Sequence, residues 1–140
     1  GKVGIPAGVF SATPLADKVE AFYQEDISRD LLIAAIDAAK NFYEGKHFNS
    51  STTGESLKSY LVFLNTSSDG EQLSTLISNQ FDAARTQALL LDESLRAQVA
   101  SDNNQMLQTY DELQKNVVFM KIDMLQALDI NVAYVDADGD

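Results

Sequence analysis

The sequence predicts an all-α, up-and-down helical bundle with a short β-like strand near its C-terminus. Apolar residues recur at steps of three and four along most of the chain, which is the period of a helix that buries one face. Residues that can cap helices precede several of these runs. From Met106 onward the steps alternate between four and three, as in the seam of a left-handed bundle. These observations predict long antiparallel helices.

The chain opens with a segment that has no helical period. Residues 1–12 are rich in glycine, so we expect an extended lead. Thr13 and Pro14 then predict an N-cap and a first helical residue. The apolar positions of this short helix are Leu15, Val19 and Phe22.

The next helix is predicted to begin at Ser28, as its cap, and to end at Gly45, a residue type that favours helix C-termini. Residues 46–51 then form a loop. The apolar stripe of this helix is Leu32, Ala35, Ile36, Ala39, Phe42 and Tyr43.

Two later helices follow possible capping boxes, Thr52 with Glu55 and Ser68 with Glu71. The first helix carries Leu57, Leu61 and Leu64. The second carries Leu73, Ile77, Phe81, Ala84, Ala88 and Leu91. Asp92 is predicted to cap a short turn through Leu95 and Val99.

The longest helix is predicted to start at Ser101 or Asp102 and to run for roughly 26 residues, which is about 39 Å. Its core positions are Met106, Tyr110, Leu113, Val117, Met120, Met124 and Ala127. A second apolar face at Val118, Ile122 and Leu125 predicts burial on two sides. We expect Val117, Met120 and Met124 to be almost fully buried.

The end of the chain alternates between apolar and other side chains over residues 130–135, which predicts a strand. A lone strand is unstable in water, so it needs a partner. Residues 3–7 are one candidate, and an absent upstream segment is the other. Residues 136–140 form an acidic tail. The whole range 1–140 is predicted to be one domain, because its length suits a single core.

Composition excludes several function classes. The net charge is −11, which disfavours nucleic acid and anionic membrane surfaces. The sequence has no cysteine, so thiolate catalysis and cysteine zinc sites are excluded. No apolar run approaches the roughly 18 residues of a membrane span. The opening residues do not have the pattern of a signal peptide.

Few residues suggest chemistry. His47 is the only histidine, so a serine triad or a common zinc ligand set is not predicted. The carboxylate pairs Asp26/Asp30, Glu25/Asp26 and Asp92/Glu93 fall near helix starts, where capping explains them better than acid–base catalysis. Asp136, Asp138 and Asp140 match a calcium-binding loop poorly. The aromatic residues Phe22, Phe42, Tyr43, Tyr60 and Phe63 are predicted to be core. We therefore assign no catalytic, cofactor-binding or metal-ligating residue.

The chain resembles the second half of the imelysin family of imelysin-like peptidases. Members end in a helix with K-x-D-x-x-x-A-L, a short β-like segment and a terminal D-x-D-G-D. The matching residues are Lys121, Asp123, Ala127, Leu128 and 136–140. The segments GKVGIPAG and VEAFYQEDIS are also similar to that half. The resemblance covers most of this chain and about half of a typical member.

The family is also marked by a G-x-H-x-x-E motif that is suspected to bind metal or to act in hydrolysis. Gly45 and His47 match it by position, but Ser50 stands where the glutamate belongs, and the motif lies in the family's first half. No role is therefore carried over to His47. A metal ion remains a candidate cofactor only for the full-length family member.

The resemblance implies the C-terminal repeat of a larger exported bacterial protein of a metallopeptidase family linked to iron uptake. Its compartment would be the periplasm, or the outer membrane as a lipoprotein. This chain would be a scaffold or cleft wall, inactive alone as a peptidase, and its partner would be the missing N-terminal half or another copy. The alternative is a non-catalytic bundle that binds a metal chelate, haem or a partner protein, or that pairs only with itself.

Overall fold

The computed structural model describes residues 1–68 and 70–130, without the side chain of Glu25. It is mainly helical, and the predicted helical bundle is confirmed. The helices are α1 (Ser28–Glu44), α2 (Leu57–Leu64), α3 (Leu73–Ala88), α4 (Leu95–Ser101), α5 (Asn103–Val118) and α6 (Leu125–Ala127). A π-helix (Phe119–Met124) joins α5 to α6, 3-10 helices cover Ala16–Lys18 and Glu25–Ile27, and strands β1 (Ser67–Ser68) and β2 (Glu71–Gln72) form an antiparallel hairpin. Within these ranges no helix has the length and apolar character needed to cross a membrane.

The central helix is α3, which packs against both α1 and α5. Its predicted inner positions are all buried: Leu73, Ile77, Phe81, Ala84 and Ala88. Tyr43, near the end of α1, donates its hydroxyl to the carbonyl oxygen of Ser74, near the start of α3, over 3.1 Å. Arg85, near the end of α3, donates to Asp37 of α1 over 2.8 Å. This order of contacts makes α1 and α3 antiparallel.

The face that α5 turns inward differs from the predicted seam. Met106 and Met124 are buried as predicted. Val117, however, is 37% exposed, while its neighbour Asn116 is only 5% exposed and takes the inner position. Met120 is half-buried. Successive helical residues differ by about 100° in direction, so adjacent positions compete for the core, and packing on α3 decides between them.

The second apolar face predicted for this helix is also wrong. Val118 and Ile122 are 48% and 51% exposed, and Leu125 is half-buried. No described helix covers that side of α5 and the π-helix. The apolar residues there therefore lie at the surface.

Two predicted helix boundaries are confirmed. Gly45 follows α1 with φ 70° and ψ 26°, and its N–H points to the carbonyl oxygens of Asn41 and Phe42. A left-handed conformation of this kind favours glycine. At the start of α5, the carboxylate of Asp102 accepts a hydrogen bond from the N–H of Asn104 over 3.1 Å.

Other helix starts differ from the predictions. The N-cap of α2 is Ser56, whose hydroxyl accepts the N–H of Ser59 over 3.1 Å, while the Ser59 hydroxyl accepts the N–H of Ser56 over 2.8 Å. This reciprocal pair replaces the box predicted at 52–55. The box predicted at 68–71 falls in the β1–β2 hairpin, and α3 begins without a side-chain cap.

The start of α1 is held by distant residues. The Ser28 hydroxyl does not cap α1; it donates to the carbonyl oxygen of Glu93 over 3.2 Å and accepts the N–H of Leu95 over 2.8 Å. The Arg29 guanidinium donates to the carbonyl oxygen of Leu91 over 3.1 Å. These bonds join the first turn of α1 to the connection between α3 and α4.

The N-terminal lead is not extended, which corrects the prediction for residues 1–12. It forms consecutive turns, one of them closed by the N–H of Ala7 and the carbonyl oxygen of Val3 at 3.0 Å. Val3 and Ala7 are each 3% exposed, and Asn103 of α5 donates to the carbonyl oxygen of Ala7 over 2.9 Å. Turns bury these apolar residues while their backbone groups stay paired. The helix predicted after Pro14 is only a 3-10 turn.

Apart from Ile130, the strand predicted at 130–135 and the acidic tail predicted at 136–140 lie outside the described residues. Ile130 is 49% exposed, and its N–H donates to the carbonyl oxygen of Leu125 over 2.9 Å. Its predicted pairing partner, residues 3–7, is folded into turns. The single domain 1–140 stays a prediction.

Candidate functional site

The loop after α1 carries the chain's only histidine. The side chain of His47 is exposed, and its backbone N–H donates to the carbonyl oxygen of Thr52 over 3.0 Å. Its Nδ1 lies 3.4 Å from the Thr52 hydroxyl, which is 2.7 Å from the hydroxyl of Ser50. Between this loop and α1 lies an open cavity of about 950 Å³, with Phe42 and Phe48 among its lining residues. His47 thus lines a solvent-exposed cavity that also contains two aromatic side chains.

These residues do not fit a metal centre. Ser50 offers a hydroxyl where the family motif has a carboxylate. Among the residues that the structure describes, no three His, Cys, Asp or Glu side chains are grouped as metal ligands. Zinc sites in proteins usually have three or four protein ligands. The metal that the resemblance implies for a full-length member therefore has no ligand set in this part of the chain.

The carboxylate pairs are mostly explained by helix starts and ion pairs. Asp30 lies in the first turn of α1, where it complements the helix dipole as predicted. Asp92 does not cap α4. The N-cap is Ser94, whose hydroxyl accepts the backbone N–H of Ala97. Glu93 lies 3.6 Å from the guanidinium of Arg29. The terminal aspartates Asp136, Asp138 and Asp140 lie outside the described ranges.

A partly buried carboxylate joins α1, α2 and α3. Glu44 of α1 accepts hydrogen bonds of 2.8 Å from the ammonium of Lys58 and from the hydroxyl of Ser78. Burial by itself raises the pKa of Glu44, but these two hydrogen bonds and the charges of Lys58 and Lys40 outweigh it and lower that pKa below its ordinary value. The carboxylate is therefore ionised at neutral pH and acts as a structural tie.

Several aromatic residues predicted as core lie on the surface. Tyr43 is buried, and burial raises the pKa of its phenol. Phe42 is 75% exposed, and Tyr60 and Phe63 of α2 are 51% and 80% exposed. The rings of Tyr60 and Phe63 stack with centroids 6.2 Å apart and planes 10° from parallel. We call these two residues the aromatic face of α2.

A second apolar surface, which the sequence did not predict, lies between α1 and α5. It is a groove of about 430 Å³ that we call the α1–α5 groove. It is lined chiefly by Leu32, Ile36, Ala39, Phe81, Val117 and Met120. Because α1 and α5 both pack on α3, the space between them is not filled by either helix.

The polar residues of the groove are few. Lys2 and Lys121 line it, as does Asn116. Asn116 is 5% exposed, and neither its Oδ1 nor its Nδ2 has a hydrogen-bond partner within the described part of the chain. Buried side-chain amides are normally paired, so an unpaired one beside a groove is notable.

No family model, no curated protein and no solved structure matches the chain.

Proposed function

We propose that this chain is a helical scaffold that forms one wall of a cleft in an imelysin-like exported protein. The supporting observation is the aromatic face of α2, where Tyr60 and Phe63 expose stacked rings to solvent. Aromatic residues are enriched in protein interfaces, because they bury a large area and fix few rotatable bonds. The surface that covers them would be the N-terminal half of the protein or a second copy of this chain.

The scaffold role also agrees with the chemistry of the His47 loop. His47 is exposed and lies beside hydroxyls, and it has no carboxylate from Ser50 to support hydrolysis. With added zinc, the chain should not cleave protein substrates. Chelator-sensitive cleavage that is lost in His47→Ala would contradict this expectation.

The interface can be tested by changing the aromatic face of α2 alone. Intact mass spectrometry of the purified sample would detect a second polypeptide, and light scattering would give the mass of the assembly. The double variant Tyr60→Ser with Phe63→Ser should weaken association, because it removes the apolar contact. Leu90→Ser is the control, since Leu90 is 64% exposed and lies outside α2. Equal association of all three proteins would contradict the proposal.

For this proposal the compartment is the periplasm, or the outer membrane as a lipoprotein, and the process is iron uptake. Both follow from the resemblance. Fractionation of cells that express the whole gene would test the compartment, and detection of the product only in the cytoplasm would contradict it.

A second candidate is a haem- or metal-chelate-binding module, which the His47 cavity favours. Imidazole is a common axial ligand of haem iron, and the Phe42 and Phe48 rings can contact a flat macrocycle. Haem titration should shift the Soret band in the native chain but not in His47→Ala. Identical spectra for the two proteins would remove this candidate.

A further inference from the structure

We propose that the α1–α5 groove binds the anion of a medium-chain fatty acid. The alkyl chain would lie along the apolar lining, and the carboxylate would lie near the ammonium groups of Lys2 and Lys121. This inference does not depend on the scaffold role, because the groove and the aromatic face of α2 share no residue.

The size and the lining of the groove fit an alkyl chain. Its volume of about 430 Å³ falls within the range of small-ligand pockets, which are mostly apolar with a few polar groups. Along α5 and the π-helix it extends from Leu113 to Lys121, which is roughly 12 Å at the rise of a helix. Two turns of a partner helix would give too small a contact for a stable protein interface. The dimensions therefore favour a small amphiphile.

The charge of the groove selects an anion. The chain has a net charge of −11, yet the charged side chains of the groove lining are Lys2 and Lys121. Lys2 pairs with Glu20, and Lys121 also has a partner, but an ammonium group has three N–H donors, so each lysine can bind a further carboxylate. A cationic amphiphile would meet two like charges here.

The unpaired amide of Asn116 is the independent observation that points to a ligand. Its N–H groups are donors that a carboxylate can use, and Asn116 is one of the residues that line the groove. Hydrogen bonds from a buried amide to a charged acceptor are stronger than those to a neutral one. A bound carboxylate would satisfy a group that the described residues leave unpaired.

The first experiment is a calorimetric titration of the full chain with decanoate below its micelle concentration. We expect saturable binding of one decanoate per chain. Octanoate, which has two fewer methylenes, should bind about 16-fold more weakly, at about fourfold per methylene. Nonyltrimethylammonium, which has the same nine-carbon alkyl chain and the opposite charge, should not bind. An absence of saturable binding, or equal binding of the cation, would overturn the proposal.

Variants locate the site. Ala39→Trp should fill the groove and abolish binding, whereas Ala38→Trp is the matched control, because Ala38 lines the His47 cavity instead. Lys121→Gln should weaken binding about two- to fivefold, and Asn116→Leu about tenfold. Circular dichroism would establish that each variant is folded, and Lys121→Gln keeps the test open if Ala39→Trp fails to fold.

Two outcomes of the variant series would overturn the proposal. One is unchanged decanoate binding in a folded Ala39→Trp protein. The other is a concentration-dependent dimer that Ala39→Trp dissociates while decanoate does not bind, because a second copy would then occupy the groove.

Discussion

Helices α2 and α3 show that apolar composition and burial are different properties. In α2, six of eight residues are aliphatic or aromatic, yet only Leu61 is buried. In α3, a more polar helix, seven of sixteen residues are buried, and Ser74 and Ser78 are among them. The central position of α3 between α1 and α5 explains the difference, since α2 lies at the edge of the bundle and makes fewer contacts with α1 and α3. Exposed apolar residues on α2 thus mark a surface that is available for contacts.

The largest expected effect is a cavity in α3. Ile77 is 0% exposed, so Ile77→Ala should lower the free energy of unfolding by roughly 2–5 kcal/mol. Urea denaturation of the wild type and the variant would measure it. The matched change in the long helix is Val117→Ala, which should cost well under half as much, because Val117 is 37% exposed. Equal losses would mean that α3 is not the centre of the core.

A smaller effect should come from the Glu44 carboxylate of α1, which accepts hydrogen bonds from Lys58 of α2 and Ser78 of α3. The pKa of Glu44 is lower in the folded chain than its ordinary value of 4.5, so ionised Glu44 stabilises the fold above that value. The stabilisation should disappear as the pH falls through the lowered pKa. Glu44→Gln should lower the free energy of unfolding by roughly 1 kcal/mol at pH 7. It should also reduce the loss of stability that the wild type shows at acid pH.

The matched control for Glu44 is Glu55→Gln, which changes an exposed loop glutamate. Urea midpoints between pH 3 and 7 would compare the three proteins. If Glu44→Gln loses as much stability as the wild type when the pH falls, carboxylates other than Glu44 cause that loss.

The cap of α2 gives a local effect of about the same size. Ser56→Ala removes a hydroxyl that accepts the Ser59 N–H, so it should cost about 1 kcal/mol. Gln72→Ala, at the start of α3, should change the free energy of unfolding by less than about 0.5 kcal/mol, because α3 has no side-chain cap. Thermal melts would detect the difference. A larger loss at Gln72 would mean that its exposed side-chain hydrogen bond to Oδ1 of Asn65, 3.0 Å long, stabilises the start of α3.

The smallest expected effect is on the aromatic face of α2. Phe63 is 80% exposed, so Phe63→Ser should change the free energy of unfolding of the isolated chain by less than about 0.5 kcal/mol. Urea denaturation at low protein concentration would measure it. A loss above 1 kcal/mol would show that the ring is part of the core, and that the contrast between α2 and α3 is wrong.

The sequence predicts the helices better than it predicts which face of each helix is inside. The apolar period of α3 and the glycine at position 45 are local signals, and both are confirmed. The heptad pattern of α5 predicts Val117 inside, but Asn116 takes the inner position because contact with α3, which the sequence does not reveal, decides the face. In α2 the predicted leucine positions do face inward, since Leu61 is buried and Leu57 and Leu64 are half-buried. The aromatic residues predicted as core, Tyr60 and Phe63, lie on the exposed side instead.

The candidate sites were harder to predict than the fold. The α1–α5 groove exists because two helices separated in sequence pack on a third, and no motif encodes that arrangement. The small residue Ala39 on α1 and the amide of Asn116 within an apolar stretch were the available signals. The position of His47 in a loop was predictable from Gly45, whereas the aromatic walls beside it depend on tertiary packing.

The bonds that hold the start of α1 also bear on the order in which the chain folds. Ser28 and Leu95 are 67 positions apart, so the bond between them forms only after a long stretch of chain has closed on itself. At about 5–20 residues per second, a ribosome needs roughly three to thirteen seconds to add that stretch. Until then the hydrogen bonds between Ser28 and residues 93 and 95 cannot form. The first turn of α1 should therefore be the last part of this helix to become rigid during synthesis.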